Sequence, residues 1–261
     1  MVAILSQQKE HILEAVRAMY TDVATCPTKT FHFPTGRAAC HLVGYPDAEL
    51  DLLPPTAVES FAGVGYPFRA DVIRAGDHVL DIGSGSGTDL LIAARQVTSR
   101  GKVFGLDVTE AMRNKLRENA ARACVDHAEI LAGNAEEIPL PDASIDVVTS
   151  NGVLNLVLDK PRALREIRRV LRPGGRLQLA DIVVGRAISE TSRQNPRLWA
   201  ECIVGAVREE WYLETLVSLG FTPVESLHRH DYFAASTSAE TRKVAASFAA
   251  EAVVLRAHKP A

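Results

Sequence analysis

The strongest constraint on the fold is a short apolar run that contains an aspartate and leads into glycines at every second position. It reads Val79-Leu80-Asp81-Ile82-Gly83-Ser84-Gly85-Ser86-Gly87. Glycine lets a backbone turn sharply and approach a ligand closely, and a loop of this kind presents the ligand to the positive end of the following helix. The run therefore predicts a strand, a nucleotide-type binding loop and a helix, as in an α/β sheet.

The glycine spacing bears on the kind of nucleotide. Dinucleotide loops read G-x-G-x-x-G, whereas this loop reads D-x-G-x-G-x-G, and Thr88 stands where the third glycine of the dinucleotide pattern would be. The departure disfavours an NAD-dependent oxidoreductase, which stays open as an alternative.

Length and charge restrict the partners. The chain has 261 residues, enough for one α/β domain, and a formal net charge of -3, without the basic excess expected of a nucleic-acid-binding protein. No apolar run is long enough to span a bilayer, and the N-terminus becomes polar too early for a signal peptide. We expect a cytoplasmic protein with a small-molecule partner, without nucleic acid or membrane, and of open oligomeric state.

The four cysteines are too far apart in the sequence for a recognisable metal motif. Cys26, Cys40, Cys124 and Cys202 show no C-x-x-C spacing. We therefore expect free thiols rather than a metal site or a disulfide framework.

From residue 77 onward, short β-branched runs alternate with helical patterns, which is typical of a parallel sheet covered on both faces. The predicted strands cover 78–82, 102–107, 128–131, 145–150, 176–183, 222–228 and 252–257. The predicted helices cover 87–97, 109–123, 160–171, 209–219 and 237–249, with a helical insert at about 186–208 centred on 196–207. Residues 1–76 differ, with a helix over 7–20 and then an aperiodic stretch rich in Pro, Gly and aromatic residues. We interpret 1–76 as a cap segment and 77–261 as the main domain.

Polar residues follow three further predicted strands. Asp107 ends the second strand, twenty residues beyond Gly87, where an acid can accept hydrogen bonds from both ribose hydroxyls. The third strand leads to Gly133-Asn134-Ala135-Glu136, and the fourth to Asn151. Since the carboxyl ends of parallel strands share one edge of the sheet, we expect these residues to surround one ligand.

These motifs resemble those of the class I S-adenosylmethionine methyltransferases. The resemblance implies a Rossmann-like, seven-stranded α/β fold with an N-terminal helical cap, S-adenosylmethionine as cofactor, and methyl transfer to a small molecule. It implies a cofactor site formed by Asp81, Gly83, Ser84, Gly85, Gly87, Asp107, Val108, Asn134, Ala135, Glu136 and Asn151.

Within that class the chain is similar to the arsenite methyltransferases, a branch near the quinone C-methyltransferases. The similarity is carried by DIGSGSGTD at 81–89, SNGVLNLVLDK at 150–160 and RLWAECIVGA at 197–206. That family holds arsenic with one cysteine from each of three motifs. Here the resemblance places Val64, Gly152 and Cys202 at those positions, so two of the three thiols are missing.

The acceptor is therefore open. Trivalent arsenic is thiophilic, so the sequence favours a changed acceptor, and an arsenite enzyme that uses Cys202 with Cys26 or Cys40 stays as an alternative. A non-catalytic, thiol-based metal sensor is a further alternative function. The candidate substrate contacts are Cys202, His32, Tyr66 and Asn155, and no catalytic base is assigned.

Overall fold

A computed structural model describes residues 2–188, 199 and 203–261, with side chains from Glu10 onward. Its centre is a seven-stranded sheet of order β3-β2-β1-β4-β5-β7-β6. The strands β1 to β5 run parallel, and β7 lies antiparallel to both β5 and β6. Their bounds are β1 His78–Ile82, β2 Lys102–Asp107, β3 Ala128–Ala132, β4 Ile145–Asn151, β5 Leu171–Val184, β6 Val224–His230 and β7 Ala250–His258.

Helices cover both faces of this sheet. The N-terminal cap contains α1 Val2–Thr25, α2 Gly36–Leu42, α3 Asp47–Leu50 and α4 Pro55–Val58, and the rest of the chain contributes α5 Thr88–Val97, α6 Glu110–Arg122, α7 Lys160–Val170, α8 Glu209–Ser218 and α9 Ala239–Phe248. One apolar core joins the cap to α5, α6 and α9, and a second core joins α7 and α8 to the opposite face. Among the described residues, no helix has both the length and the apolar character needed to cross a membrane.

The sequence predictions of the first strands agree with the structure, since β1 and β2 have the predicted bounds. The strand β5 begins at Leu171 rather than at 176, because Leu171 pairs with Ile145 before a register shift in the ladder. The strand β6 begins two residues later than predicted, after Pro223, which has no N–H to donate to a ladder. The helix α1 is longer than predicted at both ends. Most of the predicted insert at 186–208 lies outside the described residues.

Candidate active site

A cavity of about 460 Å³ opens at the carboxyl edge of the parallel strands. Its walls come from the ends of β1, β2, β3 and β4, and its roof from the cap. Ten of the eleven residues that the resemblance assigns to the cofactor line it, and Gly87 does not. Cap residues that the sequence analysis did not name complete the wall: Glu10, Ile12, Leu13, Val16, Tyr20, Ser60, Phe61, Ala62 and Gly63.

The loop after β1 needs glycine at two positions for different reasons. Gly83 has φ +71°, and a Cβ built there would lie 2.2 Å from Val153 Cγ2, beside the cavity. Gly87 has φ +102°, and its Cβ would lie 2.3 Å from Leu116 Cδ1, inside the core. The first glycine thus keeps the loop open to the cavity, and the second lets α5 begin against α6.

Asp81 is a buried carboxylate at the floor of the cavity. It is 2 % exposed, and its Oδ2 has no hydrogen-bond partner in the protein. Burial raises its pKa well above the usual range, and the nearby Asp89 and Asp107 raise it further. A buried, unpaired acceptor in a group of carboxylates favours a cationic donor such as an ammonium group.

Asp107 performs two structural tasks beside the cavity. Its Oδ2 accepts from Gly85 N at 2.9 Å, and its Oδ1 accepts from Thr109 N at 2.7 Å. Burial raises the pKa of Asp107, although these two bonds oppose the rise. Because each carboxylate oxygen has a further lone pair, Asp107 can still accept from two adjacent hydroxyls. Val108 lies next to it on the cavity wall.

The third wall is a turn held by Asn134. Asn134 Oδ1 accepts from Glu136 N at 2.8 Å and from Glu137 N at 3.1 Å. Glu136 Oε1 accepts from Asp159 N at 3.0 Å, which ties this turn to the start of α7. The side-chain oxygens of Asn134 and Glu136 thus shape the wall, and Ala135 lines it from a buried position.

The sequence analysis missed Asp89, which lies in the first turn of α5 and lines the cavity. Its Oδ1 accepts from Tyr45 Oη at 2.5 Å, and its Oδ2 accepts from Asn151 Nδ2 at 3.0 Å. Burial raises the pKa of Asp89 to about 6, while these two bonds oppose the rise. The signal was present as a second acid eight residues after Asp81 and two residues after the last glycine of the loop.

Just after β4, the two positions where the resemblance expects thiols lie against each other; Gly152 lines the cavity, and Val64 is buried beside it. A Cβ built on Gly152 would lie 3.2 Å from Val64 Cγ1, although the two residues are 88 positions apart. The structure therefore brings Val64 and Gly152 together, but with an aliphatic side chain and a hydrogen atom in place of two sulfurs.

The four predicted substrate contacts lie in different places, and none is among the described residues that line the cavity. Tyr66 Oη donates to Glu49 Oε1 at 2.8 Å. His32 packs edge-on against Phe33. Asn155 is fully buried, and its backbone carbonyl oxygen accepts a hydrogen bond from Lys160 Nζ. Cys202 lies outside the described residues.

The other thiols are Cys40, buried in α2, and Cys26 and Cys124, which are exposed. Burial raises the pKa of the Cys40 thiol, and the nearby Asp89 adds to the rise. Within the part of the chain that the structure describes, no three His, Cys, Asp or Glu side chains converge as a metal site.

The fold and the cavity are those of the class I S-adenosylmethionine methyltransferases. The residues present fit this cofactor: the unpaired Asp81 oxygen suits an ammonium group, Asp107 suits the ribose hydroxyls, and the glycine loop leaves room for the chain between them. Residues 73–237 match the family model described as a methyltransferase domain. The chain belongs to the class I methyltransferase family, and within it is similar to the arsenite methyltransferases.

Three relatives show this similarity. The arsenite methyltransferase of Halobacterium salinarum is 36% identical over 163 residues, which are 62% of this chain and 42% of that protein. The demethylmenaquinone methyltransferase of Symbiobacterium thermophilum is 43% identical over 104 residues, 40% of this chain and 41% of that protein. The matched segment thus spans about two fifths of each curated relative. The crystal structure of an arsenic(III) S-adenosylmethionine methyltransferase from Chlamydomonas reinhardtii is 30% identical, with a TM-score of 0.64 over 88% of this chain and 74% of that one.

Proposed function

We propose that this protein transfers a methyl group from S-adenosylmethionine to a small molecule other than arsenite. The observation that carries the second half of this proposal is the contact between Val64 and Gly152. Trivalent arsenic is held by thiolates, and two of the three positions that would supply them meet here without sulfur.

The donor end of the cavity is the part that we assign to the cofactor, and each group there has its own role. Asp81 binds the ammonium of the cofactor, Asp107 accepts from its ribose hydroxyls, and the wall at Asn134 and Ala135 packs against its adenine. The cofactor supplies a methyl carbon on a sulfonium, which is already activated for transfer. The protein therefore has mainly to align the acceptor with that carbon, and such alignment contributes on the order of 7–11 kcal/mol.

The cap suits an acceptor with an apolar body. Ile12, Val16 and Phe61 line the cavity from the cap, and Leu156 and Val157 line it from the segment after β4. Burial of apolar surface is the main attraction that such walls provide. A soft or readily ionised acceptor atom needs no strong base in this setting, and we assign none.

The remaining described thiols do not favour arsenite. Cys40 is fully buried, and burial raises the pKa of its thiol, which disfavours the thiolate that binds arsenic. Cys26 is exposed just beyond the end of α1. Neither residue lines the cavity.

The proposal is tested first at the donor. Titration with S-adenosylhomocysteine should give saturable binding, and titration with NADH under the same conditions should give none. The variant Asp107→Asn should bind S-adenosylhomocysteine more weakly, because it keeps the size of the side chain but removes the charge and one of the two acceptor oxygens that we assign to the ribose hydroxyls. Binding of NADH in place of S-adenosylhomocysteine would overturn the assignment of the donor.

The acceptor is tested with methyl-labelled S-adenosylmethionine and a panel of arsenite, selenite, thiols, phenols and amines. We expect label in one of the other classes and none in arsenite. Methylation of arsenite that Cys202→Ser abolishes would contradict the second half of the proposal and favour the alternative enzyme. The small-molecule partner, the absence of a nucleic-acid partner and the cytoplasmic location remain predictions.

A further inference from the structure

The side chain of Asn151 lies between the donor end of the cavity and what we call its acceptor end, the region around Gly152 and the adjoining Val64. Its Oδ1 accepts from Val64 N at 2.8 Å and from Gly65 N at 3.2 Å. Its Nδ2 donates to Gly65 O at 2.9 Å, to Asp89 Oδ2 at 3.0 Å and to Tyr45 Oη at 3.0 Å. Both ends of this amide are therefore occupied by protein groups, so the side chain has little capacity left for a ligand.

The cap strip, residues 63–66, fits closely over this amide. A Cβ on Gly63 would lie 2.5 Å from Asn151 Nδ2, and a Cβ on Gly65 would lie 2.6 Å from Ala180 Cβ. Glycine at both positions lets the strip lie flat on Asn151 at the end of β4 and on the neighbouring Ala180 of β5. The position of Val64, and hence of its contact with Gly152, depends on this fit.

Asp89 connects the same amide to the donor end. One Asp89 oxygen accepts from Asn151, and the charge of Asp89 raises the pKa of Asp81, which also lines the cavity and has one oxygen without a hydrogen-bond partner. The other groups that face Asp89 are Tyr45, which donates to it, and Glu49, Cys40 and Tyr66. A cation bound beside Asp81 would weaken the repulsion between the two carboxylates and favour the ionised form of Asp89.

We propose that Asn151 is a positioning residue that couples the two ends of the cavity, so that binding of the cofactor's ammonium group tightens the cap strip over the acceptor. The inference rests on the proposed function. When Asp89 is ionised, its oxygen accepts the hydrogen bond from Asn151 Nδ2. When Asp89 is protonated, its O–H is itself a donor and this hydrogen bond is weakened. Coupling of this kind is reciprocal, so a tightened strip also strengthens cofactor binding.

Hydrogen exchange of two backbone amides tests the coupling without a known acceptor. Val64 N–H and Gly65 N–H donate to Asn151, so their exchange reports the position of the strip. At pH 5, where Asp89 with its pKa of about 6 is mostly protonated in the free protein, addition of saturating S-adenosylhomocysteine should slow both exchanges in the wild type by about tenfold. In Asn151→Asp the slowing should disappear, because a carboxylate oxygen would then face Asp89 Oδ2 and Gly65 O.

The matched control is Gln178→Glu, the same change from amide to carboxylate at a fully buried position on β5. Gln178 donates to Thr149 Oγ1 and has no hydrogen bond to the strip or to Asp89. Gln178→Glu should lower the free energy of unfolding, but S-adenosylhomocysteine should still slow the exchange of the Val64 and Gly65 amides. If Asn151→Asp does not fold, Asp89→Asn provides the second test, because it removes the charge that responds to the ligand and should also abolish the slowing.

The outcomes separate this inference from the proposed function. If S-adenosylhomocysteine binds but leaves the two amide exchange rates unchanged, the coupling is refuted and the donor assignment stands. If the slowing survives in both Asn151→Asp and Asp89→Asn, the strip is held by other contacts and the inference fails. If S-adenosylhomocysteine does not bind the wild type at all, the proposed function itself fails.

Discussion

The donor end and the acceptor end of the cavity are built in different ways. Each donor wall comes from the carboxyl end of one strand or the turn after it, from Asp81 near the end of β1 to Glu136 in the turn after β3, and the parallel register brings these strand ends together. The acceptor end joins distant parts of the chain, because Val64 and Gly65 bond to Asn151 across 87 and 86 positions. One end thus depends on short motifs, and the other depends on how the cap packs on the sheet.

This difference means that the acceptor end can change while the donor end stays intact. The contact between Val64 and Gly152 involves no donor residue. Two substitutions there alter what the cavity presents to an acceptor without changing the glycine loop or Asp107. Three predictions test how far the two ends are separable.

The largest expected effect comes from restoring sulfur at the acceptor end with the double variant Val64→Cys/Gly152→Cys. Phenylarsine oxide, which bridges two close thiols, should bind the double variant about 10²-fold more tightly than either single variant, as expected when two ligands act together. Calorimetric titration measures this difference. Position 152 has φ +73°, so a side chain there is strained, on the order of 1–2 kcal/mol.

Val64→Ala/Gly152→Ala is the matched control, because it makes similar changes in shape without sulfur. Both double variants should keep the affinity for S-adenosylhomocysteine close to that of the wild type, because Asn151 holds the strip through the backbone N–H groups of positions 64 and 65, which neither variant removes. Equal affinity of the double and single cysteine variants for phenylarsine oxide would show that the two positions are not close enough to act together.

The second effect belongs to the donor end. Asp81→Asn removes the charge that we assign to the cofactor's ammonium, and a hydrogen bond to a charged group contributes about 1.5–3 kcal/mol. We expect the affinity for S-adenosylhomocysteine to fall by about 10- to 100-fold, measured by calorimetry. The control is Asp181→Asn, since Asp181 is also a buried acid but bonds to Tyr212 in the second core. A similar loss in both variants would contradict the assignment of Asp81.

The smallest effect is a pH dependence of donor binding. Without ligand, the pKa of Asp89 is raised to about 6 and that of Asp81 is also raised, so both tend to be protonated in mild acid. A cationic group beside them favours ionisation, so binding releases protons and the affinity increases with pH. From pH 5 to 7 we expect about a tenfold gain for one titrating group.

The same raised pKa values make the free protein lose stability as the pH rises through that range, since the folded state there binds more protons than the unfolded state. Asp89→Asn should reduce the gain in affinity measured across the pH series. A flat affinity profile in the wild type would show that no buried carboxyl titrates on binding.

Much of the sheet was predictable because its strands are locally encoded. β1 and β2 have the predicted bounds, since each is a short, largely apolar run bounded by turn residues. The early start of β5 was not predictable, because it depends on the pairing of Leu171 with Ile145. The length of α1 and its place in the cavity roof were missed because they depend on packing against α6 and the cofactor walls.

The sequence by itself determined the class of the protein and brought together the residues that we assign to the donor end. An aspartate, alternate glycines and a second acid at the next strand end specify a backbone shape and a charge pattern through neighbouring residues alone. Only the tertiary structure decided what Asn151 and Val64 do. Asn151, expected to contact the cofactor, has both ends of its amide occupied by the cap and Asp89, and Val64 meets Gly152. These contacts join residues that are far apart in the chain, so their geometry follows from packing of the cap on the sheet.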